Sequence, residues 1–91
     1  MDGINFTELK KEYRGFRIYD KKNPKIEMSG TSSIDMTGVR VRDLTVIEFY
    51  GRYRRKGNNT ASLWKVLRDD GIELIFDGGS IRKLIKLEEH G

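Results

Sequence analysis

The chain has 91 residues, with 18 Lys and Arg against 14 Asp and Glu, a net charge of +4 and 36% hydrophobic content. That length predicts one small domain, 1–91, burying about 60–70% of its unfolded surface, and the basic balance excludes an acidic mimic of nucleic acid. With no Cys and a single His at position 90, disulfide frameworks, zinc–thiolate sites, thiol nucleophiles and most histidine chemistry are excluded as well.

The start, MDGINFTELKKEY, has an early acid and no apolar run of signal-peptide length. No stretch approaches the ~20 apolar residues of a membrane span. The expectation is a cytoplasmic globular protein with no membrane partner.

The first predicted element is a short helix. Asn5 is placed to cap it, with Glu8 three residues on and Ile4 and Leu9 as a hydrophobic staple. Phe6, Leu9 and Tyr13 share a face, and Gly15 supplies a stop. From Phe16 the period becomes two. Phe16 and Ile18, then the turn 20–24, then Ile26 and Met28 read as a hairpin with Pro24 in its connection. The small polar stretch Ser29–Ser33 reads as a loop.

Val39–Arg55 is the longest strand-like stretch, interrupted at Asp43-Leu44 and Gly51 as bends or bulges would interrupt it. Lys56-Gly-Asn-Asn59 turns the chain into a strand from Ala61 to Arg68 that carries Trp64, assigned to the core. Asp70-Gly71 signals a second hairpin before Ile72, Leu74 and Phe76, completing a three-strand meander. Residues 81–87 fit a helix with Ser80 as its cap, Ile81, Leu84, Ile85 and Leu87 on one side, and Arg82, Lys83 and Lys86 on the other.

The expected architecture is mainly β: a bent antiparallel sheet or small open barrel, SH3-like or OB-like, of about five or six strands with a short helix at each end of the chain. The alternative is α+β.

Charge is unevenly placed. Residues 1–39 carry seven basic and six acidic groups (+1), residues 40–68 eight and two (+6), and residues 69–91 three and six (−3). The basic set is Arg40, Arg42, Arg52, Arg54, Arg55, Lys56, Lys65 and Arg68, six of the eight being Arg. Guanidinium binds phosphate bidentately and stacks on bases, and Tyr50 and Tyr53 are interleaved with it. Asn58 and Asn59 at the tip are suited to base edges or phosphates. A ribbon of this kind enters a duplex groove or tracks a single strand. The plainer reading is a solvated edge studded with cations against aggregation.

Asp69, Asp70, Glu73 and Asp77 read as solvated turn carboxylates, because the residue order of a calcium loop is missing. The Asp-Gly-Gly-Ser80 turn lacks any phosphate-loop pattern and reads as an ordinary capped turn. No catalytic constellation, metal site or cofactor is expected. The function expected is a non-catalytic nucleic-acid-binding module for DNA or RNA that uses Arg40, Arg42, Tyr50, Arg52, Tyr53, Arg54, Arg55, Lys56, Asn58, Asn59 and Lys65. The alternative is a small protein-binding module or inhibitor, of a kind that a phage or mobile element encodes, docking the same hairpin on an acidic surface of a larger nucleic-acid-processing enzyme. A third reading is self-assembly through unpaired strand edges.

Overall fold

The computed structural model describes residues 5–28, 30, 34–57 and 59–90, the last by its backbone alone. The staple residue Ile4, the tip residue Asn58 and the 29–33 loop apart from Gly30 lie outside these residues.

Helix α1 spans Phe6–Glu12. Asn5 caps it as expected, its side-chain oxygen accepting from the Glu8 N–H at 2.9 Å. This satisfies one of the donors a helix start leaves open. Leu9 is buried, and the chain leaves the helix through Gly15 at φ 94°, a left-handed conformation that glycine adopts without a side-chain clash.

The chain then departs from the expected hairpin. Ile18 does not pair with Ile26. It bridges Phe76, and the Tyr19 N–H bonds the Ile75 carbonyl at 2.9 Å, so residues 18 and 19 lie along another edge. Residues 20–25 form a turn held by Asp20 and Asn23, whose side chains accept from the Lys22 and Lys25 N–H groups. The chain thus crosses to the opposite edge, where β1, Ile26–Glu27, pairs with Tyr53 and Arg52.

The 39–55 stretch is also not one strand. Strand β2, Arg40–Val41, turns back at 42–43 into β3, Leu44–Arg54, with Arg40 opposite Thr45 and Val41 opposite Leu44. Arg42 takes φ 55° in this two-residue connection, a conformation ordinarily left to Gly, Asn or Asp. Strand β3 then pairs with β4, Thr60–Arg68, with register shifts between Val46 and Glu48 and between Phe49 and Gly51. The second shift is the irregularity expected at Gly51, where a Cβ would overlap the Glu27 carbonyl of β1. Only glycine lets β1 approach this closely.

Asp70-Gly71 makes the predicted tight turn, Gly71 at φ 94°, into β5, Glu73–Asp77. The result among the described residues is an antiparallel sheet of five strands in the order β1-β3-β4-β5 with β2 also on β3. It is open and does not close into a barrel, so neither small-barrel type is realised. This is the mainly β, open antiparallel sheet with a short helix at each end that was expected; it stays unclosed because β1 and β2 share one edge while residues 18 and 19 cover only part of the other.

Helix α2 spans Gly78–His90 and starts earlier than expected. Its cap is Asp77, not Ser80. The Asp77 carboxylate accepts from the Ser80 N–H at 2.8 Å, while the Ser80 hydroxyl accepts from the Arg17 N–H at 2.7 Å. Ile81 and Leu84 are buried but Leu87 is 46% exposed, because at about 100° per residue it lies about 120° around the helix from Ile81, off the buried stripe. Neither helix is long and apolar enough to cross a membrane.

One face of the sheet holds the main core: Leu44, Val46, Trp64, Val66, Leu74 and Phe76 from the strands with Leu9, Ile81 and Leu84 from the helices. Trp64 is 2% exposed and meets Phe49 edge-on, with ring centroids 5.4 Å apart. Burying side chains of this size contributes about 1.5–3 kcal/mol each. Register puts Ala61, Leu63 and Ile75 on the other face. Tyr19 reaches across that face, its hydroxyl donating to Asp77 at 2.8 Å and its ring 4.7 Å from Tyr53 on β3.

Candidate nucleic-acid interface

Folding redistributes the charge that the sequence concentrates in residues 40–68. Five of the eight basic side chains there meet carboxylates, and three of those carboxylates belong to the acidic segment after residue 68. The long ribbon folds back on its own counter-charge, so most of the expected +6 patch is neutralised.

The base of the ribbon shows this most fully. Arg68 is buried to 7% exposure, donating to Asp70, to Glu12 at 2.8 Å and to the Tyr13 hydroxyl at 3.3 Å. The Asp70 hydrogen bonds hold its guanidinium charged well above the ordinary range, and the same contact holds the Asp70 carboxyl low. Arg40 forms a two-pronged pair with Asp69 at 2.8 and 2.7 Å and also donates to Thr45. Lys65 pairs with Glu48 at 3.3 Å. These three side chains link segments of the fold together.

Other expected site residues are dispersed. Arg42 sits in the β2–β3 turn, its N–H directed at Glu88. Tyr50 occupies the second bulge of β3 and is half-buried. Arg52 packs against Gly30 on the sheet face shared with Ser62. The Asn59 carbonyl accepts from the Arg55 N–H at 2.9 Å, and the residue borders a small hollow with Glu27, Arg54, Gly57 and Thr60. Asn58, as noted, is outside the described residues.

Four expected residues do converge. Tyr53, Arg54, Arg55 and Lys56, where β3 runs into the tip, line a groove of about 490 Å³ whose other wall is Phe16, Arg17, Ile18 and Tyr19, with Lys10 and Lys25 at its margins. Six basic residues therefore border one groove, and no acidic residue lines it among those described. Arg54 pairs with Glu27. Arg55 pairs at 3.2 Å with Asp77. Lys10, Arg17, Lys25 and Lys56 meet no carboxylate among the described residues, Lys10 lying instead 5.8 Å above the Phe6 ring.

Asp77, expected to be a solvated turn carboxylate, is 2% exposed and receives the Ser80 N–H, the Tyr19 hydroxyl and Arg55. It joins β5, the helix start and both walls of the groove. Burial first, and then the Asp77 carboxylate, push the Tyr19 hydroxyl up to about 12, with Arg55 opposing. A second hollow of about 410 Å³ shares Arg17 and Arg55 with the groove and adds Lys83, but Asp77 lines it too. The negative end of Asp77 makes that hollow the poorer place for an anion.

Lys10, Arg17 and Lys25, together with Phe16 and Tyr19, were not singled out by sequence reasoning. The available signal was the alternation of Arg17 and Tyr19 against Phe16 and Ile18, which sets one pair on each side of an extended segment. Its meaning depended on which strand the segment joined. Comparison with family models, with curated protein sequences and with solved structures finds no match to this chain.

Proposed function

We propose that the chain is a non-catalytic nucleic-acid-binding module that takes the phosphate backbone in the groove between residues 16–19 and the β3–β4 tip. The observation that carries this reading is the convergence of six basic residues from four separate segments on a groove that no acidic residue lines among those described. Cations brought together in a concave site raise the local potential and attract a polyanion. Four of them meet no carboxylate among the described residues. The nearby Asp77 carboxylate is engaged by three donors, which favours a structural role for it over proton transfer.

Fluorescence anisotropy with labelled DNA and RNA oligonucleotides at two salt concentrations tests the reading. Four released counterions on a flexible strand give a log–log salt slope of about −3. Lys25→Ala with Lys56→Ala should weaken binding about tenfold at low salt. No binding at low salt, or binding indifferent to that double substitution, overturns the proposal. A stoichiometric acidic protein retained through nuclease treatment would favour the docking alternative.

A further inference from the structure

We infer that the groove accepts single-stranded rather than duplex nucleic acid, with bases against its tyrosines and the backbone along Lys25, Lys56 and Arg17; this rests on the nucleic-acid reading above. Size is the first reason. A pocket of about 300–1,000 Å³ encloses a ligand of small-molecule size, so 490 Å³ suits one or two nucleotides. A duplex instead asks for a protruding element that fits a major groove about 12 Å wide.

The second reason is that the protruding element has lost the means to do this. Along the β3–β4 ribbon, Arg54 is tied to Glu27, Arg55 to Asp77, Lys65 to Glu48 and Arg68 to Glu12 and Asp70. Entering a duplex groove with these side chains would require breaking their ion pairs.

The third reason is the aromatic lining. Tyr19 and Tyr53 meet at 4.7 Å with a 50° tilt, and both line the groove beside its cations. The Tyr19 hydroxyl is fixed on Asp77, so the ring pair is ordered before any ligand arrives and binding does not have to order it. Rings alternating with cations in a concave track match unstacked bases, which a single strand offers and a duplex hides.

The experiment compares labelled single strands of about ten nucleotides, as DNA and as RNA, with a duplex of equal phosphate number and with a strand of equal length whose bases are removed. The expected result is that a base-bearing single strand binds about tenfold tighter than either the duplex or the baseless strand. Tyr53→Leu should bring it to their level, and Tyr53→Phe should restore it. If single strand, duplex and baseless strand bind alike with one salt slope, the single-strand inference is overturned while the nucleic-acid reading stands. If none binds at low salt, both fall. Should Tyr53→Leu not fold, as circular dichroism would show, the baseless strand and Tyr53→Phe still decide.

Discussion

Arg68 closes β4 at 7% exposure with its guanidinium shared among Asp70, Glu12 and Tyr13, whereas Lys56, at the opposite end of the same hairpin, meets no carboxylate among the described residues. Both belong to the run of eight basic groups that the sequence presents as one feature. At the base, acidic side chains from α1 and the 69–70 turn fold onto the arginines and turn them into cross-links. At the tip, cations arrive from residues 10, 17 and 25, and among the described residues only Glu27 and Asp77 come with them. Whether a charge is available to a ligand is decided by which acids the topology delivers to it.

The sharpest way to break this comparison is Arg68→Ala. It would strand Glu12 and Asp70 beside a cavity and lose a buried, multiply bonded cation. Because both acids are half-exposed, we expect a loss of about 3 kcal/mol, at the low end for breaking a buried pair, or about 12–24 °C in Tm for a domain this size. Calorimetry checks it, and oligonucleotide affinity below the new Tm should be unchanged. Lys25→Ala with Lys56→Ala should do the reverse. It costs the tenfold in affinity already stated and shallows the salt slope by about 1.4, yet stability should stay within about 0.5 kcal/mol. A large stability loss in that variant would show the tip to be structural as well.

A weaker contrast appears in alkali. Because folding raises the Tyr19 pKa from 10 to about 12, the folded state favours the neutral hydroxyl. The associated stability is fully present below pH 10 and is lost as pH rises from 10 to 12. Urea titrations across that window should show Tyr19→Phe losing less stability than the parent, the difference cancelling the lysine titration common to both. The smallest effect is at acid pH. The Asp70 carboxyl is held low by Arg68, and that of Glu73 by Lys21 at 2.7 Å. Their contributions are present above the ordinary carboxylate range and fade as pH falls through the lowered values. Asp70→Asn should flatten that acid limb more than Glu73→Gln.

What could be read from the sequence was whatever local chemistry decides. Asn5 and Glu8 mark a helix start within four residues, Asp70-Gly71 closes a hairpin by itself, and the β3–β4–β5 meander follows from alternation on either side of two turns. What could not be read was any choice made at long range. Alternation through Phe16–Ile18 and at Ile26 identifies extended chain but not its neighbour, and the two segments pair with opposite edges of the sheet. The reversal at 42–43 was hidden because Arg42 holds a positive φ without being Gly or Asn. Asp77 and Ser80 are both competent caps three residues apart, and the carboxylate took the position where Tyr19 and Arg55 also reach it. The same limit explains the site. Tyr53, Arg54, Arg55 and Lys56 were visible as a cationic, aromatic run, while the wall opposite them comes from residues more than 30 positions earlier.

Gly51 has no side chain with which to touch a ligand, yet the approach of β1 to β3 passes over it, and the backbone leading into β1 carries Lys25, while β1 itself carries Glu27. Any bulkier residue there would push the Lys25 margin of the groove outward and move the partner of Arg54. In a saturation screen read by oligonucleotide capture, position 51 should therefore score with the lysines of the groove, and an engineer seeking to widen the site would have a single backbone position from which to do it.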